Sequence, residues 1–88
     1  MTNKKEKIDF PCHFPIKIIG NNHADFYGEM RGIIVKHFPD FDLETILHKQ
    51  SRNKNYISLT VTVYVLNQTC LDAFYQEVSS HPQVHMIL

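Results

Sequence analysis

Residues 56–66 read YISLTVTVYVL and carry the clearest secondary-structure pattern in the chain. Every odd position from 57 to 65 is aliphatic, and hydroxyl-bearing side chains fall between them at Ser58, Thr60, Thr62 and Tyr64. Successive side chains of a strand point to opposite faces, so this alternation predicts a strand with one apolar and one hydroxyl-lined face. A strand covered on both faces reads as a continuous apolar run, and the stretch therefore predicts a sheet that is covered on one side and open on the other.

Shorter alternating patterns predict three further strands. Residues 14–19 form a first strand that ends at Gly20-Asn21-Asn22. Residues 43–50 alternate and weaken toward a polar end, which indicates an edge strand. The five polar residues 51–55 join it to the central strand and predict an antiparallel hairpin. A last short strand is predicted over 84–88, VHMIL.

Two amphipathic stretches predict helices. The first runs from about residue 23 to residue 37, with Asn22 as its cap, and its Gly28 and Gly32 are interpreted as points of close approach between helix and sheet. The second begins after the cap residue Asn67 and ends near Ser80.

The predicted order is β-α-β-β-α-β. Two right-handed crossovers in this order place both helices on one face of the sheet, with the first and third strands central. The sequence therefore predicts an α+β fold, the ferredoxin-like βαββαβ two-layer sandwich, in which a four-stranded antiparallel sheet carries two helices on one face. This single domain is expected over residues 10–88, and the lysine-rich residues 1–9 are expected to form a flexible N-terminal tail.

Length and composition limit the classes of function. With 88 residues the chain is long enough to fold without a metal or a disulfide. Nine Lys and Arg balance nine Asp and Glu, so the overall charge typical of a nucleic-acid-binding protein is missing. No apolar run approaches the roughly 18 residues that span a bilayer, and a cytoplasmic location is expected. Cys12 and Cys70 are interpreted as separate thiols.

Four segments resemble a known family. FPCHFPIKIIG (10–20), SRNKNYISLTVTV (51–63), FYQEV (74–78) and the closing VHMIL resemble, in order and spacing, the YbeD-like family of small bacterial proteins. That family is largely uncharacterised and is sometimes described as lipoate regulatory proteins. The resemblance covers about residues 10–88 and implies a fold similar to the small-molecule-sensing regulatory domains of amino-acid metabolic enzymes. It brings no catalytic residues, and the family usually has Gly in the hairpin where this chain has Lys54.

The hairpin offers the most inviting candidate site, because it places hydroxyl, guanidinium, amide and ammonium donors on one exposed loop. A phosphate or carboxylate can bind such a set, and the adjoining strand residues can extend the site onto the open face. The alternative is a solvated turn chosen for hydrophilicity and for its tolerance of positive φ. The candidate ligand-binding residues are Ser51, Arg52, Asn53, Lys54, Tyr56 and Ser58.

Metal and enzyme functions find less support in the sequence. Of the six histidines, His81 and His85 are four apart, but Pro82 and the strand pattern keep them off a common helix face. No metal ligands, cofactor or catalytic residues are predicted, since the chain has no phosphate loop, nucleophile elbow or paired carboxylates. His48 and His85 are expected on the open face as polar surface residues.

Two functional hypotheses follow. The first is a non-catalytic regulatory or adaptor domain that binds a small metabolite or a partner protein through its open face and sheet edges, as a homodimer. The alternative is a single-stranded RNA-binding module on the open face, since RNA-recognition domains share the fold. Nucleic acid is the less favoured partner, because the net charge is zero and the third strand offers only Tyr56 and Tyr64 for base stacking.

Overall fold

A computed structural model describes residues 9–88. Its strands and helices are β1 (Cys12–Asn21), α1 (Phe26–His37), β2 (Leu47–Gln50), β3 (Tyr56–Val65), α2 (Gln68–Ser79) and β4 (Val84–Ile87). The strands pair antiparallel in the order β2-β3-β1-β4, so β1 and β3 are central. The predicted fold class, a ferredoxin-like sandwich, is confirmed. The tail expected over residues 1–9 lies outside the described residues, apart from Asp9.

The odd-numbered residues of β3 form the centre of the core, on the side of the sheet that the helices cover. Residues Leu59, Val61, Val63 and Val65 are fully buried, and the same face of β1 adds Ile16 and Ile18. Burying one such side chain is worth about 1.5–3 kcal/mol, so this face holds the sheet and the helices together. The helices contribute Phe26, Met30, Ile34, Leu71, Phe74 and Val78.

At Gly20, β1 lies in close contact with the helix layer. A Cβ atom built on this residue would overlap the ring of Phe26 and lie 2.6 Å from the carbonyl oxygen of Gln83. A backbone carbonyl cannot move aside as a flexible side chain can. Gly20 therefore allows Phe26, at the start of α1, to pack directly against the sheet.

Gly28 and Gly32 do not have the role that the sequence suggested. Both are exposed, and a Cβ atom on either would meet no atom within 4 Å. The buried residues of α1 recur every fourth position at Phe26, Met30 and Ile34, which leaves the two glycines on the opposite side of the helix. The prediction of close helix-to-sheet approach at these glycines is wrong.

The start of α1 also differs from the prediction. Asn22 does not cap the helix, because its side-chain amide donates to the carbonyl oxygen of Lys54 (2.9 Å) and its backbone N–H to that of Asn55 (3.0 Å). The helix begins at Phe26 instead, with Asp25 as the N-cap residue. By contrast, Asn67 caps α2 as predicted, and its side-chain oxygen accepts from the backbone N–H of Cys70 (2.9 Å).

Only half of the predicted second strand is a strand. Residues Leu43–Thr45 form a turn of 3-10 helix, and β2 is limited to Leu47–Gln50 at the sheet edge. The cause is Asp42, whose carboxylate accepts from the backbone N–H of Glu44 (3.0 Å) and whose carbonyl accepts from the Thr45 hydroxyl (2.7 Å). Such local hydrogen bonds compete with strand pairing. As a result, β2 pairs with the first half of β3 only, over Ile57 to Thr60.

Candidate functional site

The side of the sheet away from the helices, here called the open face, is formed by the residues that alternate with the buried ones. The strand register arranges them in rows. Lys49 of β2 lies beside Ser58 of β3, which lies beside Ile19 of β1. The next row holds Leu47, Thr60 and Lys17. The rest of the open face is His13, Pro15, Asn21, Tyr56, Thr62, Tyr64, His85 and Met86.

A groove of about 670 Å³ lies on this face next to the hairpin. Its volume falls in the range of about 300–1,000 Å³ that is usual for small-molecule sites. Three cationic side chains from three different elements line it: Lys17 from β1, Lys49 from β2 and Arg52 from the hairpin. We call it the basic groove. It is completed by Ile19, Gln50, Ser51, Tyr56, Ile57 and Ser58.

The basic groove has no carboxylate in its lining. Within residues 9–88, every Asp and Glu lies outside the strands and the hairpin: Asp9 precedes β1, and the others lie on the helices or in the other connections. The ion pairs found among these residues join Lys36 and His37 to Glu77 and His81 to Glu29, so none uses a cation of the groove. The chain is neutral overall, but its open face is positive and its helix layer holds the acids.

The helix layer is tied together by its own charged cluster. Glu77 of α2 accepts hydrogen bonds from His37 (2.7 Å) and Lys36 (3.3 Å), both of α1. These two bonds stabilise the carboxylate and hold the pKa of Glu77 below its ordinary value. On the same helix, burial raises the pKa of Tyr75, whose hydroxyl donates to the carbonyl oxygen of Leu88 (3.2 Å). Both groups with a shifted pKa therefore lie on the covered side of the sheet.

Some of the residues predicted for the site hold the hairpin turn together, and others line the basic groove. Ser51 and Asn53 hold the turn together: the Ser51 hydroxyl donates to the Asn53 side-chain oxygen (2.9 Å) and accepts from the backbone N–H of Tyr56 (3.1 Å). The same Asn53 oxygen accepts from the backbone N–H of Asn55 (3.2 Å). Lys54 has a positive φ of 63°, the conformation that glycine adopts most easily.

The structure brings only part of the predicted site together. Arg52, Tyr56 and Ser58 line the basic groove, and Ser51 lines it while supporting the turn. Asn53 and Lys54 do not line it.

The family can be identified by comparison with known proteins. The family described as "Protein of unknown function (DUF493)" matches residues 5–88. A UPF0250 protein of Nitrosomonas europaea is 42% identical over 81 residues, which cover 92% of this chain and 93% of that protein. A UPF0250 protein of Chromobacterium violaceum is 34% identical over 85 residues, 97% of this chain and 96% of that protein. The chain belongs to the DUF493 family. Its identification as YbeD-like from sequence is confirmed.

Solved structures with the same fold are more distant in sequence. The ACT domain from the GTP pyrophosphokinase of Chlorobium tepidum superposes with a TM-score of 0.68 at 19% identity, covering 88% of this chain and 97% of that domain. Protein HP0495 from H. pylori gives a TM-score of 0.71 at 18% identity, covering 97% of this chain and 89% of that protein. At these identities the likeness establishes the fold that this DUF493 chain shares with them.

Sequence reasoning missed Lys17 and Lys49. Each stands in an alternating strand pattern at a position of the open face, and Lys49 pairs with Ser58 because the turn closes with Ser51 opposite Tyr56, which leaves residues 52–55 as the loop. The missing step was the register between β1 and β3, which sets Lys17 beside Thr60 and brings it near the hairpin. The usable signal was the parity of Lys17, which falls on the side opposite the buried Ile16 and Ile18. Lys49 has the same parity as Leu47, so the pattern of β2 alone does not show its side.

The histidines are spread over both sides of this DUF493 chain. His85 lies on the open face as predicted, with its ring 5.0 Å from Tyr56 and hydrogen-bonded to the side-chain oxygen of Asn21 (2.6 Å). His48 does not, because it pairs with buried Leu59 and its ring lies 5.4 Å from that of Tyr27 on α1. Within residues 9–88 no three His, Cys, Asp or Glu side chains are close enough to hold a metal ion.

The cysteines and the helices of residues 9–88 have two further features. Cys12 and Cys70 are both free thiols, and each is half-buried. No helix in this part of the chain is long and apolar enough to cross a membrane.

Proposed function

We propose that this chain is a non-catalytic regulatory domain that binds a small anionic metabolite, a carboxylate or a phosphate, in the basic groove. The observation that carries the proposal is the meeting of Lys17, Lys49 and Arg52 in a groove whose lining has no carboxylate. Cations held together repel one another, and a bound anion relieves that repulsion. Arg52 can bind two oxygens of one carboxylate or phosphate, while the lysines act as point charges.

The rest of the groove supports recognition rather than catalysis. Ser51 and Ser58 supply hydroxyl groups, Tyr56 supplies an aromatic ring, and Ile19 supplies an apolar surface. A hydroxyl becomes a nucleophile when a base lies within hydrogen-bond reach, and the groove lining contains no histidine or carboxylate. The fold is also that of the ACT domain from a GTP pyrophosphokinase, in line with the small-molecule-sensing role that the family resemblance implies. These features together favour an effector-binding domain.

The proposal is tested by thermal unfolding of the full chain in the presence of pyrophosphate, citrate, ATP and amino acids. An anion at about 100 times its dissociation constant should stabilise the chain by about 2.7 kcal/mol, a shift of several degrees. Each of Lys17→Gln, Lys49→Gln and Arg52→Gln should reduce that shift. The matched control is Lys54→Gln, which removes a charge from the same hairpin outside the groove and should leave the shift unchanged.

Two results would contradict the proposal. One is a panel of anions in which none stabilises the chain. The other is an anion whose effect survives Arg52→Gln and disappears in Lys54→Gln. Light scattering on the same samples gives the oligomeric state, so that association of two copies is not mistaken for ligand binding.

A second candidate, binding of single-stranded RNA, is favoured by one arrangement on the open face. Tyr56 and Tyr64 are 43% and 51% exposed at opposite ends of β3, and Lys17 and Lys49 lie on the surface between them. Aromatic rings separated by cations are typical of surfaces that bind single strands. In that case a labelled oligonucleotide should bind with strong salt dependence, and both Tyr56→Ala and Tyr64→Ala should weaken it. Binding of a small anion should respond to Arg52→Gln and not to Tyr64→Ala.

A further inference from the structure

The second half of β3 is paired on one side only. β2 ends opposite Thr60, whereas β1 continues beside β3 as far as Val65. The outer edge of β3 beyond Thr60 therefore has no neighbouring strand among residues 9–88. The connection from α1 to β2 passes nearby without forming a main-chain hydrogen bond to this edge.

The hydrogen-bond pattern of the strands identifies which main-chain groups of β3 beyond Thr60 point away from β1, toward the unpaired edge. The backbone N–H of Ser51 donates to the carbonyl oxygen of Tyr56 (2.8 Å), so the main chain of Tyr56 points toward β2. In an antiparallel sheet every second residue points the same way. The N–H and C=O groups of Thr62 and Tyr64 therefore face outward, while those of Val61 and Val63 bond to β1. The next residue with outward parity is Leu66.

The same three residues line a cavity of about 530 Å³. Thr62, Tyr64 and Leu66 form one side of it, and Phe38 and Phe41 contribute aromatic surface from the connection after α1. Tyr64 and Leu66 are 51% and 60% exposed. The cavity thus combines unpaired main-chain groups in strand geometry with an apolar surface for a side chain. This pair of properties matches an extended polypeptide better than a compact small molecule.

The other unpaired edge of the sheet is blocked. The backbone N–H of Lys17 donates to the carbonyl oxygen of Leu88 (3.2 Å), and the backbone N–H of Leu88 donates to the carbonyl oxygen of Lys17 (2.8 Å). On the N-terminal side of Lys17, β1 extends past β4 and is unpaired on this edge among the described residues. The next residue of β1 toward its N-terminus whose main chain faces this edge is Pro15, which has no backbone N–H to donate. Proline on an edge is a common way to prevent pairing with another strand. No proline protects the edge of β3 between residues 61 and 66.

We infer that the outer edge of β3 at Thr62 and Tyr64, continued by Leu66 just after the strand, binds an extended segment of a partner protein as an added strand. The segment carries an apolar side chain, which enters the cavity beside Phe38 and Phe41, and a neighbouring Lys or Arg. The charge follows from Asp40 and Asp42, which also line the cavity, whereas no Lys or Arg does. This site lies at the opposite end of β3 from the basic groove and does not depend on the proposed anion binding.

The experiment begins with selection of binders to the full chain from a phage-displayed library of random peptides. Selected peptides should contain an apolar residue next to Lys or Arg. For a selected peptide, Tyr64→Ala should weaken binding about tenfold or more, as truncation of a central contact does. The matched control is Tyr56→Ala, an exposed tyrosine at the other end of the same strand. It should leave peptide affinity unchanged, and Asp40→Asn should weaken binding most at low salt.

Amide hydrogen exchange measures the added strand directly. In the free chain the amides of Thr62 and Tyr64 should exchange quickly and those of Val61 and Val63 slowly. Bound peptide should slow amide exchange at Thr62 and Tyr64. A peptide with N-methyl groups at alternate residues keeps its side chains but loses the main-chain donors, and it should bind about tenfold more weakly or worse.

Three outcomes would overturn the inference. In the first, peptides bind without slowing exchange at Thr62 and Tyr64. In the second, N-methylation or Tyr64→Ala leaves affinity unchanged. In the third, the free chain is a dimer in which these amides are already protected, which would make a second copy the occupant.

Discussion

The two faces of the sheet are made from the same strands and carry opposite kinds of side chain. On the covered face Leu59, Val61 and Val63 have no exposed surface and pack against both helices. On the open face, one residue away along the same strand, Thr60 lies in a row with Leu47, which is 68% exposed, and with Lys17. One face therefore supplies the core, and the other carries exposed side chains. Substitutions on the two faces should have separable effects.

The same division holds for charge. The helix layer and its connections hold the Asp and Glu side chains of residues 10–88, while the strands and hairpin hold Lys17, Lys49, Arg52 and Lys54. A net charge of zero hides this separation. The sign of the charge on a surface depends on where the fold places the charged side chains, and the net charge of the sequence does not report it.

The largest effect is expected from a pair of neighbouring substitutions in β3. Leu59→Ala leaves a cavity in the core and should lower the free energy of unfolding by about 2–5 kcal/mol. Thr60→Ala, on the open face, should change it by less than about 1 kcal/mol. Urea denaturation of both variants measures the difference. Equal losses would mean that the open face is as well covered as the other, and the comparison would fail.

Gly20 tests how tightly the covered face is packed. Gly20→Ala places a methyl group against the Phe26 ring and the carbonyl oxygen of Gln83, and overpacking of this kind costs about 1–3 kcal/mol. The melting temperature should fall accordingly. An unchanged melting temperature would indicate that α1 lies further from β1 than described.

The glycines on the outside of α1 should respond in the opposite direction. Gly28→Ala and Gly32→Ala meet no atom within 4 Å and restrict the unfolded chain, so each should stabilise the protein by up to about 1 kcal/mol. Thermal denaturation of the two variants, compared with Gly20→Ala, measures the contrast. Destabilisation by either would mean that this side of α1 packs against something in solution.

The smallest effect is expected in the pH dependence of stability, through Glu77 in the helix layer. The pKa of Glu77 in the folded chain is below its ordinary value of 4.5, so the stability it contributes is complete above that value. That stability is lost as the pH falls through the lowered pKa. Glu77→Gln should therefore make the unfolding free energy less dependent on pH at and below 4.5.

Asp72→Asn, which neutralises an exposed carboxylate on the same helix, is the control for Glu77→Gln. It should keep the wild-type pH dependence. If both variants behave alike over this range, the cluster of Glu77 with His37 and Lys36 does not stabilise the fold.

The sequence predicted the elements that depend on periodic patterns and missed those that depend on competing contacts. The alternation of β3 and the cap at Asn67 are local signals, and both are confirmed. Asn22 failed as a cap because a hairpin more than 30 residues away takes its side chain. The start of the second strand failed because Asp42 forms hydrogen bonds with its own neighbours.

The candidate site was only partly predictable for a related reason. Arg52, Tyr56 and Ser58 are close in sequence, so the hairpin and the adjoining strand were enough to suggest them. Lys17 joins them from 35 residues before Arg52, through pairing between β1 and β3 that no local pattern contains. Asn53 and Lys54 were included because they are polar, whereas the turn uses them for its own geometry.

The central claim, that the open face binds anions through the basic groove, is tested most directly by mapping amide chemical shifts during a titration with pyrophosphate. We expect saturable shifts at Lys17, Lys49, Arg52 and Ser58, small changes in α1 and α2, and a weaker response in Arg52→Gln. Shifts confined to the helices or to Lys54, or no saturable shift at all, would contradict the account.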